Sequence, residues 1–301
     1  MKGFWRVAAT ATMALTILAA CGASEPASPQ GVTVTDALGN DITLAEVPDR
    51  IISLTPSNTE ILFGLGLADE IVGVNDSDNY PAEAGEKQKV GGTDYNLEMI
   101  VALEPDIVFA HESSMSTLTM AIPQLEAAGV TVFVVENAES FDETYATIED
   151  IGKLTGKEAE AAEMISNIQT DVLQVQKVIE GQPAKSAFLV VGGSPDIYVA
   201  GQGTFMNEML KAINVENAVK EEGWPLYSPE QFIAANPDSL IFTYEGDDDI
   251  IRNNPAFAVM DAVEKDALTV VDGDTTSRQG PRLAEGVEEL ARAIYPEAFH
   301  E

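Results

Sequence analysis

In 301 residues the chain has one cysteine, Cys21, and two histidines, His111 and His300. A lone cysteine excludes an internal disulfide and any thiolate metal cluster. Two histidines, one of them penultimate, exclude a His-rich zinc site. His111 also lacks a nucleophile-elbow motif to complete a Ser-His-Asp triad. No G-x-x-x-x-G-K-[ST] stretch occurs, and neither Gly-Leu-Gly at 64–66 nor Gly-Gln-Gly at 201–203 extends to G-x-G-x-x-G. Positive charge is scarce: 16 Lys and Arg stand against 50 Asp and Glu, a formal charge of −34. The acids are dispersed, which gives a solvated acidic surface that repels nucleic acid and anionic lipid. The sequence therefore predicts neither an enzyme nor a nucleic-acid binder, and no metal or cofactor of its own.

Long apolar runs are also missing, apart from one near the start. Lys2 and Arg6 precede an apolar stretch from Val7 to Ala20, which reads as a signal peptide, too short for an ordinary membrane span. It ends in Leu-Ala-Ala-Cys, which resembles the lipobox of bacterial lipoproteins. The resemblance implies cleavage before Cys21, a diacylglycerol on its thiol and a lipid anchor on the extracytoplasmic face. Fourteen basic residues then remain against 50 acidic ones, a charge of −36. Residues 22–31 read as a flexible tether.

The rest is ordinary globular sequence, 45% hydrophobic and 7% aromatic. Short β-branched runs alternate with helical periods, the pattern of a parallel α/β fold. A hairpin is expected over 32–44. Ser57 with Glu60 reads as a capping box, and so does Thr155 with Glu158. From Thr155 to Glu180 the alternation gives way to one predicted helix of about 26 residues, roughly 39 Å long. Its apolar face is Ala161, Ile165, Ile168, Val172, Val175 and Ile179. Strand and helix signals then resume. The expected organisation is a signal peptide at 1–20, Cys21 and linker at 21–31, an α/β lobe at 32–154, an interlobe helix at 155–181 and a second α/β lobe at 182–301.

One pattern occurs twice, 132 residues apart. Asn96–Phe109 and Ser228–Phe242 each carry Glu, Ala four later, Pro seven later and Asp eight later, then an apolar run. Each lobe thus repeats one helix–strand corner. With the lipobox, the two lobes and Arg50–Val74, these stretches resemble the substrate-binding lipoproteins of ABC importers for metal chelates: cobalamin, ferric siderophores and haem. The resemblance runs from about Val32 to the C-terminus and implies two Rossmann-like lobes joined by one long helix. It also implies that Glu98 and Glu230, one per lobe, dock on arginines of a two-subunit permease. Glu60 reads instead as the capping partner of Ser57. A monomer delivering a small molecule to a membrane permease is expected.

Ligands of open α/β sheets bind beyond the carboxyl ends of the strands. Candidates there are Tyr80, Tyr95 and His111 in the first lobe, and Tyr198, Trp224, Tyr227, Tyr244, Asp274 and Arg278 in the second. Compared with cobalamin-binding members, Trp224 with Pro225 matches an aromatic wall, Asp274 and Arg278 match a polar pair, and Tyr198 falls at an aromatic position. Aromatic faces and amide-directed hydrogen bonds suit a flat corrin. The first lobe departs, with Ser77 and Thr93–Asp94 where those members carry aromatics. A ferric siderophore would call on Arg278, and haem iron on Tyr95, Tyr80 or His111. Arg282, after Pro281 at a helix start, reads as structural.

Overall fold

The computed structural model describes residues 31–192 and 197–299. The expected signal peptide, the lipidation residue Cys21 and the linker up to residue 30 lie outside the described residues.

The hairpin is present: β1 (Val32–Thr35) pairs antiparallel with β2 (Asp41–Leu44). β3 (Ile51–Ser53), α1 (Pro56–Gly64), β4 (Ile71–Gly73), α2 (Leu97–Ala102), β5 (Ile107–His111), α3 (Met115–Ala127), β6 (Val132–Val135) and α4 (Phe141–Thr155) follow. The four strands form a parallel sheet in the order β4-β3-β5-β6. α5 (Glu158–Val178) leads to the second sheet, built from β7 (Lys185–Gly192), β8 (Tyr198–Val199) and, after α6 (Phe205–Ala212), β9 (Val215–Asn217). α7 (Pro229–Ala235), β10 (Ser239–Phe242), α8 (Asp249–Arg252), α9 (Asp261–Glu264), β11 (Leu268–Val270), α10 (Gly273–Ser277) and α11 (Leu283–Ile294) complete the chain. The order is β11-β10-β7-β8; β9 runs parallel beside the start of β7, and the short β8 is antiparallel to its end.

Strand alternation explains the layering. In β5, Ile107 and Phe109 face a core shared with α1, α4 and α5, while Val108 and Ala110 face α2 and α3. In β7, Ala187 and Leu189 face that same shared core, while Phe188 and Val190 face Phe232, Tyr227 and Phe257. Side chains two apart share a face, so a fully apolar strand serves two cores at once. The shared core runs without a break from one sheet to the other through α5, whose residues Ala161, Ile165, Ile168, Val172 and Val175 are all buried, with Ile179 just beyond its end.

That helix is shorter than expected. The chain first forms α4, capped by a Ser140–Glu143 box, and ends it at Gly156 in a left-handed conformation (φ 66°) that glycine adopts without steric cost. α5 begins at Glu158 and has 21 residues, about 32 Å. Thr155 caps nothing; its hydroxyl donates to the Ile151 carbonyl inside α4. The expected box with Glu158 is therefore absent, because Thr155 closes one helix rather than opening the next.

The repeated sequence is a repeated structure. Glu98 and Glu230 lie in the first turns of α2 and α7, and both are exposed. Glu104 (φ 47°) and Asn236 (φ 41°) are both left-handed, each directly before a proline. Asp106 then accepts the Asp49 and Arg50 amides at the foot of β3. Asp238 accepts the Ser186 amide and hydroxyl near the foot of β7. Each Asp thus clips its own corner to the neighbouring strand.

Candidate functional site

The loops at the carboxyl ends of the two sheets meet. The Gln279 amide donates to the Ala138 carbonyl beyond β6 (3.3 Å), and Asn79, beyond β4, donates to Asp274 of α10 (2.8 Å). Gly273 opens α10 hard against the end of β10, where a Cβ would stand 2.6 Å from the Thr243 carbonyl oxygen. The Asp272 carboxylate accepts the Asp274 amide there (2.8 Å).

Beneath this contact lies a buried charge cluster that the sequence did not announce. Glu60 is 1% exposed, and both its oxygens are used. Arg282 donates to it twice, from Nε to Oε2 (2.9 Å) and from Nη2 to Oε1 (2.6 Å). Arg278 donates from Nη1 to Glu60 Oε1 (2.7 Å) and to the Asn79 side-chain oxygen (2.8 Å), and from Nη2 to Asp274 Oδ1 (2.8 Å). Two carboxylates and two guanidinium groups balance. The Arg282 guanidinium also lies 4.1 Å from the centre of the Tyr80 ring, a cation–π contact. The Glu60 hydrogen bonds hold Arg282 protonated above the ordinary guanidinium range.

These contacts correct the reading of Glu60. α1 starts from Thr55 with Pro56 at its first position and has no side-chain cap, so Ser57 and Glu60 form no box. α1 is instead buried along one side by polar residues: Asn58 donates to the Ala110 carbonyl, and Thr59 donates to Asp78. Burial pushes the Asp78 carboxyl up to about 6 against the pull of Thr59, the Asn75 amide, Lys89 and Arg278. Arg282 is structural as expected, but its work is to join the lobes rather than to start a helix.

Four exposed aromatics lie on the segments near the carboxyl ends of the strands. Tyr80 is 43% exposed, Tyr198 42%, Trp224 51% and Tyr244 60%. The Trp224 loop is laid along β8: the Val199 amide donates to the Pro225 carbonyl (3.1 Å), and Tyr198 bridges to Leu226. Trp224 and Tyr198 are thus carried on adjacent segments at the carboxyl end of β7. Tyr244 edges a groove of about 600 Å³ that also includes Thr243, Glu245, Val271 and Asp272. Two candidates serve the cores instead. Tyr227 is buried, its ring 5.4 Å from Phe188 and 5.8 Å from Phe232. Tyr95 is partly buried against the cluster of Ile52, Val90 and Ile100.

His111 is buried at the end of β5, its Nδ1 within 2.8 Å of the Ser113 hydroxyl. Burial lowers its pKa to about 4. The buried ring presents no free face to a ligand. Between pH 6.5 and 4 the unfolded chain binds a proton here that the folded chain refuses, so His111 subtracts stability as pH falls through that window. Asp78 acts oppositely: the folded chain holds its proton up to about pH 6, so its contribution declines as pH rises from about 4. His111→Asn is expected to remove about 3 kcal/mol of the stability lost between pH 7 and 4. Urea unfolding at both pH values measures this, and an unchanged loss would show that the ring titrates freely.

Among the described residues no group of three or more His, Cys, Asp and Glu is placed to hold a metal ion, and no helix is long and apolar enough to cross a membrane.

Residues 51–275 match the periplasmic binding protein family. The chain is 40% identical to YvrC of Bacillus subtilis, an uncharacterised ABC transporter substrate-binding lipoprotein, over 99% of this chain and 98% of that one. It is 26% identical to the cobalamin-binding protein of Halobacterium salinarum, over 98% of this chain and 85% of that one. A solved structure from Staphylococcus epidermidis, described as a possible iron-binding periplasmic solute-binding protein, is 36% identical, with a TM-score of 0.77 over 83% of this chain and all of that one. The chain belongs to the periplasmic binding protein family, as a substrate-binding protein of ABC transport rather than an enzyme.

Proposed function

We propose that the chain captures a corrinoid in the interlobe cleft and passes it to the membrane subunits of an ABC importer. In this reading it is tethered outside the cell by a lipid on Cys21. The observation that carries it is the set of exposed aromatics, Trp224, Tyr198 and Tyr80, on segments near the carboxyl ends of the strands, together with a polar cluster there whose charges cancel. A corrin offers a broad face for aromatic contact and a rim of neutral amides for hydrogen bonds. The half-exposed, half-neutralised Asp274 and its neighbour Asn79 supply rim partners. The cobalamin-binding relative from H. salinarum supports the same ligand class. A ferric siderophore or haem is the second reading, favoured by the iron-binding description of the S. epidermidis structure.

In the chain from Gly22 onward Trp224 is the sole tryptophan, so its fluorescence reports the cleft. Titration with cyanocobalamin is expected to quench it saturably at micromolar affinity or better. Trp224→Ala, tested by equilibrium dialysis, is expected to weaken binding about 10–100-fold, the worth of roughly 100 Å² of apolar contact. Quenching by a ferric hydroxamate, ferric catecholate or haemin, with none by cyanocobalamin, would replace the corrinoid by that chelate.

A further inference from the structure

The loops at the carboxyl ends of the two sheets contain five Lys and Arg residues, Lys87, Lys89, Lys220, Arg278 and Arg282, and every one is engaged within the protein. Lys87 donates to the Ala68 carbonyl, Lys89 to the carbonyls of Asn75 and Asp78, and Lys220 pairs with Glu216 (2.6 Å). Arg278 and Arg282, the two that lie where the lobes meet, are committed to Glu60 and Asp274. The same loops carry unpaired negative potential: Glu112, Glu136 and Glu139 line one groove, and burial with the charges of Glu143 and Glu112 beside it raises the Glu136 pKa.

We propose that Glu60 is the charge-specificity residue of the cleft: by claiming Arg278 and Arg282 it leaves no free cation there among the described residues and confines the protein to metal chelates of zero or positive net charge. This rests on the reading of the cleft as a chelate site and adds which chelates it refuses. The chemistry is direct. A tricatecholate or carboxylate-bearing ferric complex brings negative charge that must be met by a guanidinium or ammonium group when water is displaced. Here the nearest guanidinium groups are already neutralised by a carboxylate 2.6–2.9 Å away, and the surrounding field repels the newcomer. A neutral corrin amide rim or a neutral hydroxamate complex incurs no such cost.

The test uses charge series on one framework, with the whole chain in detergent and equilibrium dialysis as the readout. One series is a linear ferric trihydroxamate with its terminal amine free, acetylated or succinylated, giving net charges of plus one, zero and minus one. The other is cyanocobalamin beside its monocarboxylate, in which one rim amide is hydrolysed. In whichever series binds, the anionic member is expected to bind at least about tenfold more weakly than the neutral one. Glu60→Gln is expected to shrink that gap to about threefold or less by releasing guanidinium charge. If Glu60→Gln does not fold, Asp274→Asn, at a half-exposed position that frees Arg278 Nη2, carries the same expectation. Equal or tighter binding of the anionic member by the unaltered protein, or an unchanged gap in the folded variant, overturns the proposal. If no member of either series binds while anionic haemin or a ferric tricatecholate does, this inference falls and the chelate reading stands; if none of these binds, both fall.

Discussion

Glu60→Ala is expected to lower the free energy of unfolding by about 3–5 kcal/mol, the cost of stripping the partner from buried guanidinium groups. Few single changes in a chain of this size should cost as much, since global stabilities run to about 5–15 kcal/mol. Arg282 would lose both of its hydrogen bonds to Glu60 and keep the face of Tyr80 and the charges of Glu285 and Asp272. Arg278 would retain Asn79 and Asp274. The loss should be nearly the same at 0.1 and 1 M salt, because a cluster this far from solvent is little screened. Replacing Glu60, Arg278 and Arg282 together by apolar residues of similar size should cost much less, since no charge is left stranded. Urea unfolding of the single and triple variants, read by circular dichroism, measures both. A loss under about 1 kcal/mol for Glu60→Ala would show that the floor relaxes to admit water and that the lobes are held by the shared core alone.

How visible this was in the sequence differs between parts of the molecule. The sheets and the two-lobe plan were legible because strand alternation and the 132-residue repeat are local patterns, written in spacings of two, four and eight residues. The buried face of α5 was legible for the same reason. What misled was the boundary of that helix. Thr155 followed by Glu158 has the spelling of a box, but Thr155 is the last residue of a fifteen-residue helix of its own, Phe141–Thr155, and a threonine can close one helix as readily as open another. Glu60 illustrates a deeper limit. Three residues after Ser57 it has an adequate local explanation, whereas its partners lie 218 and 222 residues away. Arg278 was picked out for its company and Arg282 set aside for its place at a helix start. Only the meeting of the two sheets shows that one carboxylate claims both.

Legible in sequence and repeated in structure, Glu98 and Glu230 carry the other large expectation. Changing both to arginine should abolish uptake of the bound chelate in cells while leaving its affinity unchanged. The two residues stand in the first exposed turns of α2 and α7, each helix capped at its start, by Asn96 accepting the Met99 amide and by the Ser228–Gln231 box. Glu230 is held below the ordinary carboxylate range by its own backbone amide and by Ser228, so it meets a partner as an anion. A helix N-terminus pre-orients such a carboxylate toward an arginine fork. In the proposed importer two equal corners would meet two like permease subunits, and neither Glu98 nor Glu230 belongs to the Glu60 cluster. Reversing one charge should weaken docking about 10–100-fold, since like charges set face to face cost several kcal/mol. Reversing both should multiply the two losses, because the corners belong to separate sheets and act independently. Uptake of labelled chelate by cells carrying each single and the double variant, beside dialysis of the same proteins, separates docking from capture. If the double variant both binds and sustains uptake, the repeated glutamates serve only their own helices, and the permease reads some other face of the two lobes.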